Sequence, residues 1–345
     1  MRALPFDARW LVALLPVLAV AAVLALPSPE PQVRLAPTSM TTTEPQITPA
    51  AAKLRRTVQI GISDQKADMF TDERFGELGV RYARLAISWD ALRVSWQVEE
   101  LDNWLAAART AGVTPLLSIG HSRTRRRSLP KPMQLRREFR RLRERYPWVN
   151  TYATWNEANH CGEPTCHRPQ LVAAYYRQLR RECPSCTILA PELLDSPNAV
   201  KWARAFRRQL GFTPKRWGLH NYIEANRFKT ARLRKILRAL PGADLWLTET
   251  GGLVRRDNAS KTKIPEGSIH AGEVTRYIFD RVLPANPRIK AVYLYHWNAG
   301  PRSTTWDSGL INVHGQARSS FRVLERVLTS GSRPTMSYRS ASRKR

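Results

Sequence analysis

The sequence predicts a (β/α)8 TIM barrel, formed as a single domain by residues 57–329. Eight short apolar runs alternate with longer amphipathic segments across this span, which is the pattern of β/α units around a parallel sheet. The span is close to the ~250 residues that are typical of such a barrel. An open nucleotide-binding sheet would show a glycine-rich turn after its first strand, and Ile60-Gly61-Ile62-Ser63 lacks one. A closed barrel is therefore favoured over an open sheet.

The chain before the barrel has the composition of a targeting segment followed by a linker. In residues 1–26, the uncharged apolar stretch Trp10 to Leu26 follows two arginines, as in a signal peptide or a signal anchor. The stretch is at the short limit for a spanning helix, and Val23-Leu24-Ala25 is an acceptable cleavage site, so both alternatives stay open. Residues 27–56 are rich in Pro, Thr and Ala and predict an extended linker.

The chain after the barrel, residues 330–345, is a basic Ser/Arg-rich tail that we expect to be disordered. The N-terminal segment, whether signal peptide or signal anchor, predicts that the rest of the chain is exported. Its location would be extracellular or in the cell envelope, either secreted or as a single-pass membrane-anchored protein. The membrane is a partner only if the N-terminal segment remains uncleaved.

The four cysteines form two local pairs, Cys161 with Cys166 and Cys183 with Cys186. An exported protein lies where disulfides persist, so two local bridges are the favoured interpretation. Four cysteines at these spacings also permit a structural zinc site. We predict no catalytic metal and no cofactor.

The formal net charge is +28, from 56 basic and 28 acidic residues, which favours polyanionic partners such as acidic polysaccharides. Arg123 to Arg127 follow the third run directly, and guanidinium groups there would suit carboxylates or phosphates of a charged glycan. A solvated, salt-bridged surface explains the same residues. Export and the lack of a DNA- or RNA-reading motif exclude nucleic acid as the expected partner.

The ends of the apolar runs are where a barrel of this type places its functional residues. The fourth run ends in Trp155-Asn156-Glu157 and the seventh in Thr248-Glu249. Cleavage of an acetal needs one carboxylic acid to protonate the leaving oxygen and one carboxylate to attack or stabilise the anomeric carbon. Two glutamates facing one cavity supply both. The eight runs are, in chain order, 58–62, 82–87, 114–119, 151–155, 187–190, 217–220, 245–248 and 291–296.

These residues resemble the clan of retaining glycosidases that share a (β/α)8 barrel, with an Asn-Glu acid/base after strand 4 and a Glu nucleophile after strand 7. The cellulase-like and the β-xylosidase/α-iduronidase-like families are the nearest groups. The resemblance covers the barrel and depends on short motifs. It implies that Glu157 is the general acid/base, that Glu249 is the nucleophile, and that Asn156 contacts the sugar 2-hydroxyl.

Further residues at the ends of the runs fit the same resemblance. Arg84 would keep the nucleophile ionised, and His121 matches a histidine often found after strand 3. His220 and Tyr222 resemble a strand-6 His-x-Tyr motif, in which the tyrosine positions the nucleophile by a hydrogen bond. We expect Trp297 to supply the apolar floor on which the sugar ring stacks.

The function that these observations predict is hydrolysis of O-glycosidic bonds in a polysaccharide or oligosaccharide, including acidic ones, by a two-glutamate retaining mechanism. A cell-envelope transglycosylase would use the same residues and differ only in the acceptor that resolves the intermediate. A membrane-tethered protein that binds acidic glycans without catalysis is the alternative from another class. The two glutamates and Asn156 argue against that alternative.

Overall fold

Eight parallel strands close into a barrel whose strand order follows the chain. The computed structural model describes residues 58–256, 263–301 and 303–329. A separate two-stranded antiparallel sheet, formed by Arg255–Arg256 and Trp306–Asp307, lies outside the barrel. The strands are β1 (Gln59–Ser63), β2 (Tyr82–Ser88), β3 (Thr114–Gly120), β4 (Thr151–Ala153), β5 (Thr187–Leu194), β6 (Arg216–His220), β7 (Asp244–Thr250), β8 (Arg255–Arg256), β9 (Ile289–Tyr295) and β10 (Trp306–Asp307).

The predicted fold class is confirmed, because each of the eight apolar runs forms one barrel strand. The main difference is in β5, which continues past the end of its predicted run at Ala190 and reaches Leu194. The pairing of β5 with β6 changes register between Ala190 and Glu192. An extra residue of this kind is a β-bulge, and it turns the following side chain to the other face of the strand.

Helices connect the barrel strands and cover their outer face. Pro132 and Pro169 stand in the first turns of α3 and α4, where the missing N–H of proline leaves no intrahelical bond unmade. Gly211 ends α5 with a φ of 82°, a conformation that favours glycine. The helices are α1 (Glu73–Glu77), α2 (Ser95–Thr110), α3 (Pro132–Arg145), α4 (Pro169–Glu182), α5 (Ala199–Leu210), α6 (Tyr222–Ala225), α7 (Ala231–Ala239), α8 (Ser268–Tyr277) and α9 (Ser319–Thr329). Short 3-10 helices lie at Ala67–Thr71 and Ala91–Arg93, and a π-helical turn, Ile278–Val282, follows α8.

The core has two parts. The larger part packs between the barrel and the helices, and its biggest fully buried side chains include Trp104, Phe139 and Phe206. A smaller apolar cluster comes from five barrel strands and belongs to the inward-facing layer, which fills a barrel of this type rather than leaving a pore. Its members are Leu116, Ala153, Leu189, Trp246, Ala291 and Tyr293.

Many of the surface arginines pair with acidic residues. Arg136 and Arg140 both contact Glu182 on the neighbouring helix. In the loop after β3, Arg123 pairs with Glu100 and Arg125 contacts Asp90. These ion pairs support the interpretation of the arginine-rich stretches as a salt-bridged surface.

The predicted targeting segment, linker and C-terminal tail lie outside the described residues, as does the Asn258-Ala259-Ser260 sequon. Within the part of the chain that the structure describes, none of the helices combines the length and the hydropathy needed to span a membrane.

Candidate active site

The carboxyl ends of the barrel strands bring together residues from five strands. Glu157 follows β4, Glu249 lies near the end of β7, Arg84 is on β2 and His220 ends β6. The sequence predicted these four. Glu192 on β5 is the fifth member, and the sequence reasoning missed it.

Arg84 lies at the centre of the group with no exposed surface. Its Nη1 donates to Glu249 Oε1 at 2.5 Å and to Ser63 Oγ at 3.0 Å. Its Nη2 donates to Asn156 Oδ1 at 2.7 Å. Burial lowers the pKa of Arg84, but the charges of Glu192 and Glu249 outweigh burial and raise it above its usual range. The guanidinium therefore stays charged beside Glu249, and it orients the Asn156 amide.

Glu192 is also fully buried, and it binds the other edge of the same guanidinium. Its two oxygens accept hydrogen bonds from Arg84 Nε at 2.8 Å and from Arg84 Nη2 at 2.5 Å. Ser118 Oγ donates to the second oxygen at 2.5 Å. Burial raises the pKa of Glu192, but Arg84 and His220 lower it more, and the pKa is well below its usual range. Glu192 is therefore an ionised carboxylate inside the barrel.

His220 connects the three carboxylates. Its Nδ1 lies 3.0 Å from Glu157 Oε1 and 3.6 Å from Glu249 Oε2, and its Nε2 lies 3.6 Å from Glu192 Oε2. The contact with Glu192 is an ion pair rather than a hydrogen bond, since 3.6 Å exceeds hydrogen-bond length. Burial lowers the pKa of His220, but the charges and hydrogen bonds of the carboxylates outweigh it and raise the pKa to about 10. An imidazolium thus lies between the two candidate catalytic glutamates.

Glu157 has a strained backbone and a partly exposed side chain. Its φ is 43°, in the left-handed region that residues other than glycine rarely adopt. Strain of this kind concentrates at functional sites. Burial raises the pKa of Glu157, but the hydrogen bond and charge of His220 lower it more, so that the pKa is below its usual value. His160 Nδ1 lies 3.5 Å from its second oxygen.

Glu249 is held from two sides and keeps 15% of its side chain exposed. Arg84 binds one oxygen, and the Tyr222 hydroxyl donates to the other at 3.3 Å. The predicted contact between Tyr222 and this glutamate is therefore present in the structure. Burial, together with the charge of Glu249, raises the pKa of Tyr222 well above its usual value, so the hydroxyl keeps its proton.

His121 contacts the loop after β4, and the structure shows no contact between it and either glutamate. Its Nδ1 lies 2.7 Å from Glu163 Oε1, and Trp155 Nε1 donates to the other oxygen of Glu163 at 3.3 Å. A quarter of the His121 side chain is exposed. His121 follows β3 at the same end of the barrel, as predicted, and it can act on a ligand only through this exposed part.

The expectation for Trp297 is wrong. Its side chain has no exposed surface, packs edge to face against Phe75 and Phe321, and donates its indole N–H to Asp72. A fully buried indole cannot stack on a sugar. An aromatic residue at a strand end can face either the cleft or the layer of helices, and its position in the sequence does not distinguish the two.

Other aromatic side chains border the glutamates. Tyr295 ends β9 and is half-buried, and the charge of Glu249 is among the causes that raise its pKa, after burial. Trp306 on β10 is also half-buried and packs edge to face on Tyr222, with ring centroids 4.9 Å apart. Tyr295 was within the predicted eighth run, whereas nothing in the pattern singled out Trp306.

Both predicted cysteine pairs lie at disulfide distance. Cys161 and Cys166 are joined in the loop after β4, and Cys183 and Cys186 are joined at the end of α4. Of the residues that the structure describes, Cys161, Cys166 and His167 form the group that is close enough to hold a metal ion. Because both sulfurs of that group are in a disulfide, they are not thiolate ligands.

No protein-family model matches the chain, and no curated protein matches it. Among solved structures it is similar to a glucosidase from Croceicoccus marinus, with a TM-score of 0.58 and 12% identity over 79% of this chain and 68% of that chain. An endo-1,4-beta-xylanase from Caldicellulosiruptor owensensis also gives a TM-score of 0.58 and 12% identity, over 81% of this chain and 99% of that chain. A broad specificity endoglucanase from Clostridium acetobutylicum gives a TM-score of 0.54 and 10% identity, over 81% and 99%. The chain thus has the eight-stranded (β/α)8 barrel of these glycoside hydrolases, which are its structural neighbours.

Proposed function

We propose that the chain is a retaining glycoside hydrolase in which Glu157 is the general acid/base and Glu249 is the nucleophile. The observation that carries the proposal is the position of His220 Nδ1 between the two carboxylates. Its distances to Glu157 Oε1 and Glu249 Oε2, 3.0 and 3.6 Å, mean that those two oxygens are separated by at most their sum, about 6.6 Å. Retaining pairs are ~5–5.5 Å apart and inverting pairs ~6.5–9.5 Å, so this upper limit admits the retaining separation and only the shortest inverting one.

The surroundings of the two glutamates support different roles for them. Glu249 accepts hydrogen bonds from Arg84 and Tyr222, which hold its two oxygens in place for attack. Glu157 instead shares a hydrogen bond with His220, and one proton can reside on either partner. Once that proton has passed to the leaving glycosidic oxygen, Glu157 is a carboxylate. It can then take a proton from the water that cleaves the Glu249 ester.

The substrate class in this proposal is a polysaccharide or oligosaccharide. The xylanase and the endoglucanase among the structural neighbours are named for polysaccharide substrates. Tyr295 and Trp306, rather than Trp297, would supply the aromatic surface for the sugar ring. We further propose export to the cell envelope or beyond, on the apolar segment Trp10 to Leu26.

The test is hydrolysis of a panel of neutral and acidic polysaccharides, followed by NMR of the fresh product. A retaining enzyme releases product with the anomeric configuration of the substrate. The variants Glu157→Gln and Glu249→Gln should each lower kcat by ~10²-fold or more, because each removes a group that acts in the transition state. Glu100→Gln is the matched control, since Glu100 is an exposed partner of Arg123 on the surface.

Two results would contradict the proposal. If either folded variant hydrolysed the substrate at the wild-type rate, the glutamate that it lacks would not be a catalytic residue. Inversion at the anomeric carbon would reject the retaining mechanism while leaving the pair of glutamates as acid and base. Circular dichroism of each variant shows whether the fold is intact.

A further inference from the structure

A third carboxylate lies inside the barrel, and the proposed reaction does not use it. Glu192 has no surface exposed to solvent. Through Arg84 and His220 it is nevertheless in contact with residues that bind both catalytic glutamates. A buried carboxylate is costly to desolvate, so its presence here needs a physical reason.

We propose that Glu192 is a positioning residue for both catalytic glutamates: it fixes the guanidinium of Arg84 against Glu249, and its negative charge keeps His220 protonated beside Glu157. This inference rests on the proposed function of the two glutamates. Glu192 itself makes no contact with substrate in this scheme.

The geometry of Arg84 supports the first half of the inference. Glu192 accepts from Nε and Nη2 together, which is the bidentate arrangement that fixes the plane of a guanidinium. With that edge occupied, Nη1 is directed at Glu249 and Nη2 also reaches Asn156. Without Glu192, the planar group could rotate toward either remaining carboxylate.

The balance of charge supports the second half. Three carboxylates, on Glu157, Glu192 and Glu249, surround the two cations Arg84 and His220. The negative charge of Glu192 lies 3.6 Å from His220 Nε2, on the side of the ring away from Glu157. Removing that charge would leave His220 less favoured as a cation and less able to hold the shared proton.

The other titratable groups near this cluster do not replace that charge. They are His160, which contacts Glu157, and the tyrosines Tyr222, Tyr293 and Tyr295 from β9 and the start of α6. Burial raises the pKa of each of these tyrosines above its usual value, so all three are neutral at physiological pH. Glu192 is therefore the anion that faces Nε2 of His220.

The fold makes specific room for Glu192. The β-bulge between Ala190 and Glu192 turns its side chain into the barrel. On the neighbouring strand β6, a Cβ on Gly218 would overlap Cγ of Glu192 and lie 2.9 Å from Oγ1 of Thr248, closer than real Cβ atoms lie. A side chain at position 218 and the carboxylate at position 192 are therefore mutually exclusive.

The experiment measures the imidazole pKa of His220 by NMR in the full-length protein labelled with ¹⁵N-histidine, with His220→Gln used to assign the signal. In Glu192→Gln, which keeps the shape and removes the charge, the pKa of His220 should fall by at least about 1. The basic limb of the pH profile of kcat should move to lower pH by the same amount, because the protonated His220 is lost earlier as pH rises. KM should change little, since Glu192 does not contact substrate.

Two further variants make the test specific. Glu163→Gln removes another buried carboxylate at the same end of the barrel, bound to His121, and should leave the pKa of His220 unchanged. Glu192→Asp keeps the charge but draws it back by one methylene. It should give a smaller fall in the His220 pKa and a kcat at least several-fold lower than that of the wild type. If Glu192→Gln does not fold, Glu192→Asp provides the test in its place.

An unchanged His220 pKa in Glu192→Gln, or an unchanged pKa and kcat in Glu192→Asp, would overturn the inference and leave Glu192 as a structural counter-ion only. The NMR titration needs no substrate, so its outcome is independent of whether the chain hydrolyses the tested glycans. Loss of activity in Glu157→Gln together with an unmoved His220 would reject the inference while keeping the proposed function.

Discussion

Buried carboxylates in this protein differ according to the donors around them. Glu192 is surrounded by Arg84, Ser118 and His220 and is ionised. Among the described residues, the donors to the side chain of Asp195, three residues further along the chain, are the backbone N–H groups of Ile223 at 3.2 Å and Glu224 at 2.7 Å. Burial raises the pKa of Asp195 to about 7, and the nearby charge of Glu224 adds to it, against the lowering effect of the two backbone hydrogen bonds and of Arg232.

This difference predicts a pH dependence of stability. The pKa of Asp195 is about 7 in the folded protein, against an ordinary value of 3.8. Between these two pH values the folded state therefore binds a proton that the unfolded state has lost. This bound proton stabilises the folded state by a few kcal/mol at most. The stabilisation is complete below about pH 4 and is lost as pH rises through 7. The free energy of unfolding of the wild type relative to Asp195→Asn should therefore fall between pH 4 and pH 8.

Chemical denaturation at several pH values checks this prediction. The comparison with Asp195→Asn removes the contributions of all other titrating groups, which both proteins share. A difference that stays constant with pH, or grows as pH rises, would show that Asp195 is ionised in the folded protein. Asp195 matters for the site because it holds the turn that begins with Tyr222.

At the scale of elements, the pairing of β5 with β6 decides what lies inside the barrel beneath the glutamates. Side chains alternate between the two faces of a regular strand, and Leu189 faces inward with the small apolar cluster. Regular alternation would place Glu192 on the outer face. The bulge adds one residue, and Glu192 lies inside, opposite Gly218.

The substitution Gly218→Ala should therefore disturb the site through Glu192. The new Cβ cannot fit beside Cγ of Glu192, so the carboxylate must move away from Arg84 and His220. We expect a loss of about 1–3 kcal/mol in the free energy of unfolding, as for other overpacked cores. We also expect a lower kcat.

Gly76→Ala is the matched control for this prediction. Gly76 lies in α1, and a Cβ there would meet no atom within 4 Å. The free energy of unfolding of Gly76→Ala should be unchanged or slightly higher than that of the wild type, because alanine restricts the unfolded chain more than glycine does. Equal stability and activity for Gly218→Ala and Gly76→Ala would show that Glu192 has room that the structure does not indicate.

At the scale of the whole molecule, the formal net charge of +28 is the dominant property. Surface pairs such as Arg140 with Glu182 and Arg145 with Asp102 neutralise part of it locally. The 56 basic residues exceed the 28 acidic ones, so repulsion remains after every pair is formed. Such self-repulsion destabilises the compact state.

This excess of charge predicts that moderate salt stabilises the protein. Raising NaCl from about 10 mM to about 200 mM shortens the Debye length from ~30 Å to below ~10 Å and screens the repulsion. Tm should rise by on the order of a few degrees. Thermal unfolding in NaCl and KCl at matched ionic strength separates screening from ion-specific effects, and a Tm that falls with both salts would mean that the surface ion pairs dominate instead.

The barrel and most of its site could be predicted from the sequence because both depend on local patterns. Each barrel strand is an apolar run, and Asn156, Glu157, His220 and Glu249 lie at or just past the ends of such runs, while Arg84 lies within one. Trp297 also lies just past a strand, but the prediction that it faces the sugar is wrong. The direction of a side chain at such a position depends on the loop that follows. Glu192 was missed because the predicted fifth run ends at Ala190, whereas β5 continues to Leu194 and its inward-facing Glu192 depends on the pairing with β6.

The sequence by itself determined the alternation of strands and helices, and therefore which residues collect at one end of a parallel barrel, since that follows from strand direction alone. Only the tertiary structure decided that a bulge turns Glu192 inward, that Trp297 packs in the core, and that His220 lies between Glu157 and Glu249. The physical reason is that facing, burial and charge balance arise from contacts between strands that are far apart in the chain. A one-dimensional pattern contains no distances between such residues.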